Sequence, residues 1–399
     1  MKTWPTKKLG EVCERIKIEK APAEITPYVE IGDIDIDKKT INLKEKGEVK
    51  GSIFAPANCV IVSRVRPTRG AVSLLNKKMA ISSAFTILKP KTILNLQFLF
   101  YALAYSPKFF DYLGLREKGS SYPSCREKDI LNFEVPLPSL KIQKRIVARI
   151  EELFEKIDKA KELRQKAQEE TTGIFPSGLR KVFTALRVKQ ETLSQLCETI
   201  YRYPSFYGIK WKKWKRGRIP VLRGENIKNT NLLDDDLNHY NCIEKLVSDK
   251  FPKTILKQGD LVMCVRGTIG KIAIVDKNFE GTNISPNLIR IAPVSQKINS
   301  QYLLYFLSSF TTKEYLTKFT AAATVPTIKA TDLKKLKIPL PPLSEQKKIV
   351  AYLDNLQEKV EKLKQLQQKQ SEELTELKQS ILSKAFKGEL CQIHIRHRE

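Results

Sequence analysis

The sequence lacks the patterns that mark a membrane span, a secretory signal or a metal site. No apolar run reaches the ~18 residues that a spanning helix needs, and no apolar segment follows the N-terminal lysine as it does in a signal peptide. The seven cysteines include no CxxC pair and show no ligand spacing. We therefore expect small buried or inert thiols in a reducing compartment. These absences predict a cytoplasmic protein with no membrane partner and no bound metal.

Motifs for nucleotide hydrolysis and for base methylation are also missing. Gly270-Lys271 is followed by Ile272 and lacks the upstream glycine of a nucleotide-binding loop. Residues 285–287, Ser-Pro-Asn, come nearest to the (N/D)PP(Y/F) tetrapeptide of an adenine methyltransferase that flips its base, and they fail the pattern. The three histidines show neither zincin nor triad spacing. We expect no intrinsic enzymatic activity and no cofactor in this chain.

Positive charge is what the sequence has in excess. Lys and Arg number 71 against 44 Asp and Glu, which gives a formal net charge of +27. Such a charge favours a polyanionic partner, because each basic group near a phosphate releases a condensed counterion. From charge alone, nucleic acid is the favoured partner and an anionic membrane surface is the alternative. With 41% hydrophobic and 29% charged residues in 399, the chain has the composition of a globular protein of two to three domains.

The chain also repeats itself. Residues 135–163 and 338–366 align without a gap, and about half of the positions are identical. The same correspondence extends, with small gaps, back to the start of each half. A repeat of this length is a domain duplication, since solenoid units run about 20–50 residues. Each copy is a globular part followed by a helix.

Each globular part is predicted to be mixed α/β. Short β-rich runs at 60–62, 71–75, 261–263 and 272–275 are separated by Gly, Pro and Asn. An aromatic helix follows in each half. The fold class is therefore α+β with a pseudo-two-fold internal duplication. The predicted segments are a first globular part at 1–138, a helix at 139–186, a second globular part at 187–341, a helix at 342–390 and a tail at 391–399.

The two long helices carry apolar residues at 4-3 spacing, which is typical of a coiled-coil seam. The seam positions are Ile146, Ile150, Leu153 and Ile157 in the first helix, and Ile349, Leu353, Leu356, Val360 and Leu363 in the second. Because each stripe is longer than one small domain can cover, we expect the helices to pair as an antiparallel coiled coil that separates the globular parts. The alternative is that each helix covers only its own domain. Pro176 and Gly178 predict a kink or break in the first helix.

Two similar basic domains on a stiff helical spacer suggest a reader of two-part DNA sites. Their target patches should lie about one helical turn, ~34 Å, apart on the duplex. Because the two parts differ in detail, the two half-sites should differ as well. Two other interpretations stay open. One is a scaffold for protein partners with non-specific DNA contact, and the other is a nuclease or methyltransferase with divergent motifs.

The order of globular part, PLPPLxEQ-type segment and long helix, occurring twice, resembles the specificity subunit of type I restriction-modification systems. The resemblance covers essentially the whole chain and rests on residues 338–350, residues 380–390, and Trp4 with residues 8–12. The first copy departs from the pattern, with Lys141-Ile142 where the second has Ser344-Glu345. The resemblance implies two target-recognition domains that each read half of a split DNA target. It also implies that the helices dock two methyltransferase subunits and that restriction subunits join the complex, so S-adenosylmethionine, ATP and Mg would belong to those partners.

Candidate DNA contacts are basic and small polar residues in predicted loops, since Arg, Lys, Asn and Gln contact base edges and phosphates. One loop holds Arg64, Arg66 and Arg69, and its counterpart in the second half holds Arg266 and Thr268. A pair of small-residue loops supplies Lys118, Ser120, Ser121 and Tyr122 in one half and Thr324 in the other. A patch of aromatics and cations contains Lys212, Lys213, Lys215 and Arg216. The alternatives are a structural hairpin with solvated arginines for the first set, and a solvated charge run over a packed tryptophan for the last.

Overall fold

The computed structural model describes residues 4–21, 27–43, 52–202, 212–215, 217–319 and 326–390. The chain divides into two compact units. Residues 1–165 and 368–399 form the first unit, and residues 166–367 form the second. Each unit contains one globular part and one half of each of two long helices. The predicted tail at 391–399 lies outside the described residues.

The first globular part is built from short strands and short helices, and it ends in the first long helix. Its strands are β1 (Thr6–Lys8), β2 (Glu19–Lys20), β3 (Tyr28–Val29), β4 (Ser52–Ala55), β5 (Cys59–Ser63), β6 (Val72–Leu75), β7 (Met79–Ser82), β8 (Phe85–Leu88) and β9 (Glu134–Pro136). Its helices are α1 (Leu9–Val12), α2 (Leu96–Ala104), α3 (Pro107–Gly114), α4 (Glu127–Leu131) and the long α5 (Leu140–Ala185).

The second globular part repeats this order with additions. Its strands are β10 (Gln190–Thr192), β11 (Cys197–Arg202), β12 (Lys212–Lys213), β13 (Ile219–Leu222), β14 (Asn241–Ile243), β15 (Leu261–Cys264), β16 (Ile272–Ile274), β17 (Asn283–Ile284), β18 (Leu288–Pro293) and β19 (Lys337–Pro339). Its helices are α6 (Leu193–Leu196), α7 (Lys245–Asp249), α8 (Ser300–Ser308), α9 (Phe310–Thr317), α10 (Ala330–Lys334) and the long α11 (Leu343–Phe386).

Strand pairing carries the duplication into three dimensions. The first and last strands of each globular part pair antiparallel, β1 with β9 and β10 with β19. One contact in each part is parallel, between β3 and β7 and between β13 and β17. Strand β5 lies between β6 and β8, and β15 lies between β16 and β18. The two parts therefore share these strand pairings, whereas β13 and β18 of the second part also pair with the further strands β14 and β11.

Each globular part has two hydrophobic cores. In the first unit, one core joins α2 and the antiparallel sheet to the long helices, and buries Phe98 and Leu99 with Ile146 and Ile150. The matching core of the second unit buries Tyr302 and other residues of α8. A separate core lies within the strand region of each part. Because a buried side chain of this size contributes about 1.5–3 kcal/mol, these cores hold α2 and α8 firmly to the long helices.

A buried glutamine ties the start of α5 to the start of α2. The Oε1 of Gln143 accepts the backbone N–H of Asn95 at 2.7 Å, while its Nε2 donates to the carbonyls of Ile93 and Pro138 at 3.0 and 2.8 Å. The Asn95 side chain in turn accepts the N–H of Phe98 at 2.9 Å and so caps α2. One amide side chain therefore fixes three backbone groups near the proline-rich segment.

The second unit repeats this arrangement at the start of α11. The Oε1 of Gln346 accepts the N–H of Asn299 at 2.8 Å, and its Nε2 donates to the carbonyls of Pro341 and Lys297 at 2.9 and 3.3 Å. Both glutamines are fully buried. The glutamine of the PLPPLxEQ-type segment thus faces inward in both halves and makes matched hydrogen bonds.

In the first unit the long helices run antiparallel. Going along α5 toward its C-terminus, the partner positions on α11 fall steadily in number. The cross-helix contacts that show this order are Asp158 with Lys378, Lys161 with Thr375, and Arg164 with Gln370. The Asp158–Lys378 ion pair is at the surface and contributes only a few tenths of a kcal/mol to about 1 kcal/mol. The predicted antiparallel coiled coil is confirmed.

In the second unit the same pairing continues around a buried polar layer. The Nε2 of Gln367 donates to the Thr171 hydroxyl at 2.9 Å and to the Ala167 carbonyl at 3.3 Å. A polar layer in an apolar seam specifies the register of the two helices. Farther along, a Cβ at Gly178 would overlap the Cδ2 of Leu356. Gly178 therefore permits a close approach of the two helices.

Helix α5 is not broken at Pro176. The proline removes one backbone donor, but the helix is continuous on both sides of it. Aromatic packing holds these turns in place, since Phe175 lies 5.8 Å from Tyr305 and Phe183 lies 5.5 Å from Tyr302 between ring centroids. Tertiary contacts thus outweigh the local helix-breaking tendency of the proline.

Candidate nucleic-acid interface

The first candidate loop, residues 64–70, leaves the end of β5 through a left-handed turn. Arg66 has φ +46° and Gly70 has φ +76°, a conformation that costs a non-glycine residue about 1–2 kcal/mol. The loop is held from two sides. The Thr68 hydroxyl donates to the Glu117 carboxylate at 2.9 Å, and Lys39 Nζ donates to the Gly70 carbonyl at 2.7 Å. The backbone of this loop is therefore rigidly positioned.

The structure brings the second candidate loop of the first half, residues 118–124, against the first. The Arg66 N–H donates to the Pro123 carbonyl at 2.7 Å, and Lys118 and Ser124 exchange backbone hydrogen bonds at 2.9 and 3.0 Å. Val65 forms an isolated antiparallel bridge with Ser124. Two loops that are far apart in sequence thus form one surface.

Their side chains fall into two groups. Arg66 donates to the Ser121 carbonyl at 3.2 Å and lies 5.0 Å from the ring centroid of Tyr122, which is 72% exposed. Arg64 is half-buried like Arg66, and its Nη2 donates to the Ser83 carbonyl. Arg69, Lys118, Ser120 and Ser121 are exposed. Half-buried Arg66 and exposed Tyr122 form a cation–aromatic pair suited to contact a base or phosphate, whereas Arg64 bonds to the turn at Ser83.

The second half contains a similar pair of loops. The N–H of Ile328 donates to the Val265 carbonyl at 2.9 Å, and Arg266 bridges Thr327 as Val65 bridges Ser124. Arg266 and Thr268 are exposed. Thr324, the predicted contact in the facing loop, lies outside the described residues.

Backbone pairing corrects the sequence alignment of these loops by one residue. The sequence matches Arg66 with Arg266, but the bridges place Arg266 opposite Val65 in the repeat. Gly267, with φ +82°, then corresponds to Arg66 at the left-handed position. The shift arises because the loop between β5 and β6 is one residue longer than the loop between β15 and β16. The two halves therefore present their arginines at different points of the same scaffold.

The predicted basic patch lies on a strand and the turn after it. Lys212 and Lys213 form β12, which pairs with β14. Lys212 Nζ lies 2.7 Å from the Glu244 carboxylate, and Arg218 Nε lies 3.5 Å from it. Lys213 and Lys215 are exposed. Arg216 lies outside the described residues. Glu244 therefore offsets part of the patch's charge.

A small pocket in the second unit was not predicted as a site. It is lined by Arg223, Asn241, Ser285, Pro286 and Asn287. In the sequence, residues 285–287 only come near the methyltransferase tetrapeptide, which they do not match. The signal that could have found the pocket is the internal repeat, because Arg223 stands where the first half carries an acidic residue. The deciding feature, which side chains face the pocket, is not visible in the sequence.

The seam residues of the long helices divide into buried and exposed positions. Ile146, Ile150, Ile157, Leu353 and Val360 are buried, and Leu153, Ile349 and Leu356 are partly buried. Leu363 is 38% exposed, and Tyr352 and Leu366 are also exposed on α11. Most of the predicted seam positions are therefore buried or partly buried, and some apolar side chains remain on the surface of α11.

The cysteine thiols and possible metal ligands offer little chemistry. Burial raises the pKa of Cys125 to about 11, and it also raises the pKa values of Cys13 and Cys59. Among the described residues no group of three His, Cys, Asp or Glu side chains is arranged to hold a metal. No helix in the described part of the chain has the length and apolar character needed to cross a membrane.

The comparison with protein families decides the identity of the fold. Residues 1–169 and 188–371 match the family model for the type I restriction modification DNA specificity domain. The chain belongs to this family. It is a specificity subunit of the type I restriction-modification kind, with a role in DNA sequence recognition, and its predicted fold class of two mixed α+β parts with paired long helices is confirmed.

Curated specificity subunits and solved structures show the same likeness. The type I restriction enzyme MjaVIII specificity subunit of Methanocaldococcus jannaschii is 27% identical over 72% of this chain and 69% of its own length. The EcoBI specificity subunit of Escherichia coli is 23% identical over 74% and 66%. A structure concerned with complex assembly and conformational transition of the type I R-M system has 26% identity and a TM-score of 0.73, covering 97% of this chain and 98% of that one. The HsdS subunit from Thermoanaerobacter tengcongensis has 26% identity and a TM-score of 0.61, with 97% of both chains covered.

Proposed function

We propose that this specificity subunit reads a two-part, asymmetric DNA target, one half-site with each globular part. The observation that carries the proposal is a shared loop scaffold with different side chains on it. The first part presents Arg66 beside Tyr122, whereas the second presents Arg266 beside a glycine. The matched bridges at Val65–Ser124 and Arg266–Thr327 place the described parts of both loop pairs to meet equivalent features of DNA, and unequal side chains select different bases.

The excess of positive charge supports binding to duplex DNA. A net charge of +27 attracts the phosphate backbone, and contacts to phosphates fix the position of a protein on DNA without selecting its sequence. The exposed lysines at 213 and 215 fit this role. In this proposal the base-specific contacts come from the loops and the phosphate contacts come from the basic patch.

We infer that the paired helices hold partner subunits. Tyr352, Leu363 and Leu366 leave apolar area exposed on α11, and exposed apolar area marks interaction surfaces when it is clustered. Two methyltransferase subunits would dock on the helices, and restriction subunits would join the complex. S-adenosylmethionine, ATP and Mg would then be bound by those partners, and this cytoplasmic chain would direct their reactions without a catalytic step of its own.

The test is to co-express the chain with its cognate methyltransferase subunit, purify the complex and map methylated adenines on random DNA. The expected result is a stable complex that methylates one split sequence. Arg66→Ala and Arg266→Ala should each relax selection in one half-site only, with Arg187→Ala, an exposed arginine after the end of α5, as the control. Methylation without sequence bias would favour the scaffold interpretation. An arginine change that alters both half-sites would contradict independent reading.

A further inference from the structure

The pocket in the second unit lies where three segments meet. Arg223 follows β13, Asn241 opens β14, and residues 285–287 form the turn between β17 and β18. The turn is fixed by its backbone, since the Ser285 N–H donates to the Leu222 carbonyl at 2.8 Å. The pocket is therefore a built feature of the sheet and not a gap between loose loops.

A buried hydroxyl group at this pocket has no partner in the part of the chain that the structure describes. Ser285 is 4% exposed, and its Oγ makes no hydrogen bond to any described residue. Buried polar groups in folded proteins are almost always hydrogen-bonded. An orphaned hydroxyl that lines a pocket therefore indicates that a bound group supplies the missing partner.

The charge around the pocket indicates an anion. Arg223 projects there and is held by an exposed ion pair, with its Nη1 2.8 Å from the Glu225 carboxylate. Lys213 is the cross-strand neighbour of Asn241. Arg202 lies behind the turn, where its Nε donates to the Pro286 carbonyl at 2.9 Å. Because an exposed ion pair is weak, the Arg223 guanidinium can leave the Glu225 carboxylate and pair with an anion bound in the pocket.

We propose that this pocket binds one backbone phosphate of DNA. Arg223 supplies the charge, the Ser285 hydroxyl donates to a phosphate oxygen, and the amides of Asn241 and Asn287 provide further donors. Arginine, serine and asparagine side chains are typical phosphate ligands in protein–DNA complexes. The inference rests on the proposed DNA-binding function and assigns a specific contact within it.

The first globular part lacks the same site, although β3 pairs in parallel with β7 as β13 does with β17. Glu30 occupies the position of Arg223. Each residue precedes a short 3-10 turn, and its backbone N–H donates at 2.9 Å to the side chain three residues later, Asp33 in the first part and Asn226 in the second. Ser82 occupies the position of Ser285, and its hydroxyl accepts the Ala84 N–H at 3.3 Å. A carboxylate in place of the guanidinium repels a phosphate, so the contact belongs to the second half alone.

The test measures binding of the full-length chain to a duplex of random sequence at several NaCl concentrations. Each phosphate contact contributes about 0.9 to the slope of log affinity against log salt. Arg223→Gln should lower that slope by about 1, whereas Arg187→Gln, an exposed arginine in the same unit, should change it less. Glu225→Gln should tighten binding by releasing Arg223. An Arg223→Gln slope equal to that of Arg187→Gln would overturn the proposal.

A second variant protects the test from a folding defect. Ser285→Ala removes a hydroxyl that has no partner among the described residues, so the thermal unfolding midpoint should stay the same or rise while DNA affinity falls. A lower midpoint with unchanged affinity would show a structural hydroxyl and overturn the site. In the methylation map, Arg223→Gln should weaken methylation evenly and keep the target sequence, while a changed base preference would mean a base contact instead. If no split target is found at all, the two-part reading fails, yet the salt slopes still decide the phosphate site.

Discussion

Replacing the buried glutamine of the second half should cost more stability than an average core substitution. Gln346→Met keeps the length of the side chain and removes its hydrogen bonds to Asn299, Pro341 and Lys297. A typical hydrogen bond contributes about 1 kcal/mol net, and each buried group left unsatisfied costs about 1–3 kcal/mol. Three lost bonds therefore lower the free energy of unfolding by about 3 kcal/mol or more, out of the 5–15 kcal/mol typical of a domain.

The assay is urea denaturation, with hydrogen exchange at the Asn299 amide as the local readout. Exchange there should become faster, because that N–H loses its acceptor. Gln143→Met should reproduce the effect in the first unit, with faster exchange at Asn95. Gln368→Ala is the control, since that glutamine is exposed and bonds only to Glu372 among the described residues; it should change stability by less than about 0.5 kcal/mol. A Gln346→Met protein as stable as this control would refute the reasoning.

Two further predictions concern charged groups. Asp260→Ala should lower the free energy of unfolding by about 3–5 kcal/mol in denaturation experiments, because it removes the carboxylate partner of a buried arginine. That arginine, Arg290, is 7% exposed and lies 2.7 Å from the Asp260 carboxylate. Glu19→Ala breaks an exposed pair with Lys78 and should lower the free energy of unfolding by less than about 1 kcal/mol. Burial lowers the pKa of Lys39 from 10.5 to about 8, so the unfolded chain binds more protons between those values and stability should rise with pH from about 8 to 10.5. Thermal unfolding at several pH values should show that Lys39→Met removes this rise, and an identical pH profile for both proteins would contradict it.

The sequence was sufficient to predict the fold class and the pairing of the long helices. Two features carried these predictions: the aligned segments at 135–163 and 338–366, and the 4-3 spacing of their apolar residues. Both can be recognised from the order of residues alone. The predicted break at Pro176 was wrong, because α5 is continuous through that residue. Local propensity favoured an interruption, but the packing of Phe175 and Phe183 on α8 depends on residues more than a hundred positions away.

Less of the candidate site could be predicted. Sequence reasoning selected the two loops of the first half but could not show that they form one surface, which depends on the hydrogen bond between Arg66 and Pro123. Sequence reasoning also matched Arg66 with Arg266, because an alignment pairs identical residues and contains no information about backbone conformation. The pocket at Ser285 escaped for a similar reason, since a buried hydroxyl without a partner can be recognised only in three dimensions.

The one-residue shift between the loops provides a test of whether Arg66 is kept for DNA or for the fold. Its counterpart Gly267 has φ +82°, and Arg66 accepts a comparable left-handed conformation at φ +46°. A glycine there would relieve about 1–2 kcal/mol of backbone strain. It would lose a 3.2 Å hydrogen bond to Ser121 and the contact with Tyr122, which are exposed and therefore weak.

Arg66→Gly should consequently leave the free energy of unfolding within about 1 kcal/mol of the original, while binding to the preferred first half-site loses about 1–3 kcal/mol. Denaturation and affinity measurements on one target duplex separate the two quantities, and a duplex altered only in the second half-site serves as the control. If the variant instead unfolds more easily and still selects the same first half-site, Arg66 is a structural clamp for residues 118–124. The expected result would mean that the backbone strain at Arg66 is offset by what its side chain binds and not by contacts within the fold.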